Sequence, residues 1–74
     1  VSDWRITPRE HAYAYQVALF HAAALDGVHT AEQHKANIAK CNAAFLEESG
    51  AYPSLAARMA GLMLIHPARF ERDA

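Results

Sequence analysis

Apolar and polar residues along this chain recur at helical spacing, and the breaks between the periodic runs carry helix start and stop signals. Thr7-Pro8-Arg9-Glu10 opens the first run: Thr7 can cap, Pro8 suits the first helical position, and Glu10 can reach back to complete a capping box. No glycine or internal proline interrupts the run to Asp26, and Gly27 follows where a left-handed residue ends a helix. Thr30-Ala31-Glu32-Gln33 repeats the capping pattern and starts a second helix that should stop at Gly50. Tyr52-Pro53-Ser54 makes the next corner, with Ser54 as cap of a third helix that carries Leu55 to His66 and is interrupted by Pro67. The pattern predicts a small all-α domain of three helices, at about 8–26, 31–49 and 54–66, antiparallel to oblique, with an optional fourth turn in the Pro67-Ala68-Arg69-Phe70 segment.

The three runs differ in how far their apolar residues spread around the cylinder. In the second, His34, Ile38, Cys41 and Phe45 form one stripe, while Glu32, Lys35, Asn37, Lys40 and Glu47 lie largely elsewhere. The first carries Tyr13, Val17, Phe20 and Ala24 on one stripe and Tyr15, Leu19 and Ala22 roughly opposite. The third places Leu55, Met59 and Leu62 on one face, with Met63, Leu64 and Ile65 spreading around it. Two helices therefore have more apolar surface than one short amphipathic neighbour covers, and the expectation is that Tyr15, Leu19 and Leu64 meet another protein. The bland alternative is that the numerous alanines sit exposed at little cost.

Length adds a reason for a partner. A chain of 74 residues holds one domain. A single core of that size rarely supplies more than about 3–5 kcal/mol. Cys41 is the only cysteine, so no intrachain disulfide can reinforce it, and its place on an apolar stripe suits an inert thiol. A composition 53% hydrophobic and 20% charged is that of a folded domain, and a net charge of −1 with interspersed signs argues against a nucleic-acid surface. The longest apolar stretch, Ala12 to Leu25, is broken by Gln16 and His21 and is too short and Ala-rich for a membrane span. The N-terminus lacks the basic-then-apolar order of a signal peptide, so a cytoplasmic protein is the expectation.

Candidate chemistry is sparse. His11 and His21 are separated by about 15 Å of helical rise and His34 and Cys41 by about 10 Å, too far to share one ion within a helix. His29 and His34 flank a cap and approach only if the hairpin folds back. Asp26-Gly27 lacks the ligand spacing of a calcium loop, and neither a nucleophile elbow nor a phosphate-binding loop occurs. Adjacent Glu47 and Glu48 read as a solvated helix end. No catalytic residue and no metal ligand is expected.

The segment Gly27-Val28-His29-Thr30-Ala31-Glu32-Gln33, preceded by Ala12-Tyr13-Ala14-Tyr15 and followed by Tyr52 ahead of Leu55 to Leu64, resembles the helical N-terminal part of nitrile hydratase and thiocyanate hydrolase β subunits and their accessory proteins. The likeness covers about residues 8 to 66. Arg9-Glu10 stands where that family has tryptophan-glutamate, His11 falls where many β subunits carry an arginine, and Tyr52 alone remains of a tyrosine pair. The resemblance implies a non-catalytic helical subunit or accessory chain that packs on a partner holding cobalt or iron in a cysteine claw and helps complete or mature that site. On this reading no cofactor is bound by the chain itself, and Arg9, Glu10, His11, Tyr15, Leu19, Tyr52 and Leu64 face the partner. A weaker likeness, through Leu25-Asp26-Gly27 and the capped helix carrying Glu32, is to tellurite-resistance-type helical domains. The alternative function is a stand-alone interaction module, or a phage-type regulator, that acts by occluding a target surface or by self-association, with no enzyme involved.

Overall fold

The computed structural model describes residues 6–68. It contains α1 (Pro8–Leu25), α2 (Ala31–Ser49) and α3 (Leu55–Met63), and the chain is helical again at 65–68. The architecture is the small all-α domain that the hydrophobic pattern predicts.

Each helix start is made by the residue that the sequence singles out. Thr7 accepts from the Glu10 N–H while Glu10 accepts from the Thr7 N–H, and Thr30 and Gln33 repeat the reciprocal pair. The Ser54 hydroxyl accepts from the Ala57 N–H at the head of α3. Two orphan donors are thereby satisfied at each capping box and one at Ser54. At the end of α1, Gly27 takes φ 76°, its N–H bonding Ala24 O at 3.1 Å while the Val28 N–H bonds Ala23 O at 2.9 Å. This is the Schellman arrangement, which asks for a residue without a Cβ at that position.

The third helix ends earlier than the sequence reading places it. A helix through His66 would set the Pro67 ring against the carbonyl of Met63, four residues back. The chain avoids the clash by stopping at Met63: the Leu64 N–H closes α3 on Ala60 O, and the Leu64 carbonyl accepts from the Ala68 N–H, opening the next turn. Pro67 then sits in a first turn, where a missing N–H costs nothing. The fourth turn therefore begins two residues before Pro67, and its extension through Arg69 and Phe70 lies outside the described residues.

Helix α1 is the central element. It packs against both α2 and α3, and those two pack on α1 rather than on each other. On one flank, Tyr13 and Val17 meet Phe45, with Ile38 and Cys41 beside them; the Tyr13 and Phe45 ring centres are 5.3 Å apart and tilted. On the other flank the contact is made by small residues, Ala14 and Ala18 of α1 and Ala57 and Gly61 of α3, all buried. A Cβ on Gly61 would stand 3.1 Å from Val17 Cγ1 and 3.4 Å from the Ala14 carbonyl, so the helices approach as closely as a glycine allows. The apolar circumference of α1 is thus largely used inside the fold, which is why it reads as apolar nearly all round.

Candidate functional site

The surface of α3 reverses the usual distribution of side-chain size. Its buried positions are Ala57 and Gly61, whereas Leu55, Met59, Leu62 and Met63 are exposed to 66%, 40%, 52% and 67%. At a step of about 100° per residue these four span roughly 100° of the helix, one continuous outward face. Tyr52, equally open at 68%, stands in the corner just before it. Four large apolar side chains on one short helix form an exposed apolar patch, the kind of surface that marks interaction sites when it is extensive. The two methionines add an adaptable, polarisable surface of the kind that accommodates varied partners.

The residues singled out from the sequence do not all meet there. Tyr15, Leu19 and Leu64 are only half-exposed, so the surplus apolar area falls mainly on other side chains: the α3 face, Leu25 and Val28 at the hairpin end, and Leu46 of α2. Arg9 and Glu10 are engaged within the chain. The Arg9 guanidinium donates to the Glu48 carbonyl at 2.8 Å, placing a cation at the C-terminal end of α2, where the helix dipole favours it. The Ser54 hydroxyl donates to Glu10 Oε2 at 2.6 Å, and that bond, with those from Thr7, holds the Glu10 carboxyl below its ordinary pKa. His11 is exposed on α1 and Tyr52 is exposed beyond α2. Of the predicted set, Tyr52 stands in the corner before α3 and Leu64 caps the helix at its other end.

A second locus lies where α1 and α2 leave the hairpin. His21 of α1 and His34 of α2 face one another with ring centres 4.7 Å apart and planes at 56°. Burial, and next the neighbouring His34, push the His21 pKa below the usual histidine value. His34 Nδ1 is shielded from water and has no hydrogen-bond partner. Both rings open onto a cleft of about 450 Å³ whose remaining lining includes His29, Leu25, Leu62 and Ile65. His29 is turned toward Phe20, with ring centres 6.3 Å apart.

Helical rise keeps candidate ligands apart along a single helix but not across the hairpin. The signal was available: in an antiparallel hairpin the residue numbers of facing pairs add to a constant, and Tyr13 with Asn42, joined by a hydrogen bond, gives the same total as His21 with His34. Cys41 is half-buried and burial raises its thiol pKa, the condition of an inert cysteine. Among the described residues, no group of three or more His, Cys, Asp or Glu side chains is placed to hold a metal ion, and no helix is long and apolar enough to cross a membrane. No protein-family model matches the chain, and comparison with curated proteins and with solved structures likewise finds no match.

Proposed function

We propose that this chain is a helical interaction subunit whose docking surface is the outer face of α3, with Tyr52 at its edge. The single observation behind the reading is the size reversal on α3: small side chains buried and Leu55, Met59, Leu62 and Met63 left exposed. A helix that needed only to cover α1 would gain by burying its leucines and exposing its alanines. The opposite choice leaves the hydrophobic driving force for a second surface.

A partner of the hydratase type, with cobalt or iron held in its own subunit, is one form of this reading. The internal bonds of Arg9 and Glu10 favour docking through α3 over docking through the head of α1. The chain supplies packing in this reading and no catalytic group.

The test compares the wild-type chain with a Met59→Glu/Leu62→Glu double variant by light scattering over a concentration series and by co-purification from the native host. Wild type is expected to associate, with itself or with a defined larger subunit, and the variant to remain monomeric with unchanged helix content. A wild-type chain that is monomeric throughout and recovers the same proteins as the variant would overturn the reading. A partner carrying a Cys-x-x-Cys-Ser-Cys claw would select the hydratase form.

A further inference from the structure

The His21–His34 pair has the ring separation that a chelate requires. A metal–imidazole bond of about 2.0–2.1 Å puts the ion about 3.2 Å from each ring centre. Two ligands at an angle between about 90° and 110° then have ring centres about 4.5–5.2 Å apart. The observed 4.7 Å lies inside that window, with the ring planes at 56° to one another.

Three further features bear on the same place. His34 Nδ1 is withdrawn from water without a hydrogen-bond partner, so this nitrogen costs free energy until a partner occupies it. The two residues come from different helices, each held by its capping box and by the Gly27 turn, so the pair is set by the hairpin and not by a flexible loop. The adjoining cleft of about 450 Å³ leaves room for water or a small ligand on the open side of an ion.

We propose that His21 and His34 together bind one late divalent transition-metal ion, copper(II) most tightly and zinc next, with the remaining coordination positions open to the cleft. Imidazole suits both ions, and the order follows the general rise of affinity to copper along the row. With two protein ligands the site is exchangeable, unlike a closed four-ligand structural zinc site. His29 lines the cleft but does not complete a group of three. Metal binding joins α1 to α2 near their loop and therefore stabilises the hairpin, since the unfolded chain does not hold the two rings together.

The test titrates the purified chain with copper(II) chloride and with zinc chloride by calorimetry, alongside His21→Gln, His34→Gln and His29→Gln. Wild type is expected to saturate at one ion per chain and to melt at a higher temperature with metal. His21→Gln and His34→Gln should each weaken binding by at least about tenfold, the size of loss that follows even from removing an outer-shell partner of a metal ligand. His29→Gln should bind as wild type. If either glutamine variant fails to fold, paramagnetic broadening of wild-type histidine resonances by copper(II) decides: loss of the His21 and His34 ring signals first supports the site. Binding that is undiminished in the folded variants, first broadening at exposed His11 or His66, or no saturable binding in wild type would overturn it.

Discussion

At the scale of single residues, Ser54 has two tasks with one hydroxyl. Its oxygen accepts from the Ala57 N–H to cap α3 and its proton goes to Glu10, which is already closing the capping box of α1. The starts of two helices distant in sequence are thereby joined through one carboxylate. Ser54→Ala removes a cap and a cross-helix bond together, and should cost about 1–2 kcal/mol, toward the upper end for an N-cap. Urea unfolding of Ser54→Ala, Glu10→Ala and the double variant checks this, because residues sharing one network should give a combined loss smaller than the sum of the single losses. The cap role of each of these residues was legible from local sequence. The bond between Ser54 and Glu10 was not, because it depends on α3 returning beside α1.

At the scale of elements, the α1–α3 contact depends on the absence of side chain at Gly61. Gly61→Val would force a β-branched group against Val17 Cγ1 and the Ala14 carbonyl, and overpacking of this kind costs about 1–3 kcal/mol. Met63→Val on the open side of the same helix should stay within about 0.5 kcal/mol of wild type, and the two urea midpoints measure the difference. The α1–α2 contact should be pH-sensitive through His21. Its folded pKa lies below the unfolded value, so the folded state binds fewer protons between the two. The corresponding stability is fully present above the ordinary histidine pKa of about 6.5 and is lost as pH falls through the lowered folded value. Melting temperatures taken downward from pH 7 in metal-free buffer should decline in wild type and decline less in His21→Gln.

At the scale of the whole molecule, no large side chain is fully buried among the described residues, and the fully enclosed positions are alanines. A fold so built has little core to spare, and occupation of the α3 face should add to it by mass action. If the chain self-associates, its melting temperature should rise with protein concentration; if it serves a different subunit, the rise should appear on adding that subunit. The Met59→Glu/Leu62→Glu variant should lose the rise while keeping the dilute-solution melting temperature. Scanning calorimetry over a hundredfold concentration range reads both outcomes.

What the sequence determined by itself is local. Thr7, Thr30 and Ser54 begin helices, and Gly27 and Gly50 end them, because the groups satisfied lie within a turn of one another. The apolar stripe of α2 could be read as well, since its opposite side is charged and only one face can be buried. Two matters were left to the tertiary structure. An apolar pattern counts hydrophobicity, whereas the closeness of packing counts volume, so the sequence pointed outward to Tyr15, Leu19 and Leu64 while the fold half-covers them and exposes the leucines and methionines of α3. Spacing within one helix says nothing of His21 and His34, which lie on α1 and α2, and it is the closing of the hairpin that brings the two rings to 4.7 Å.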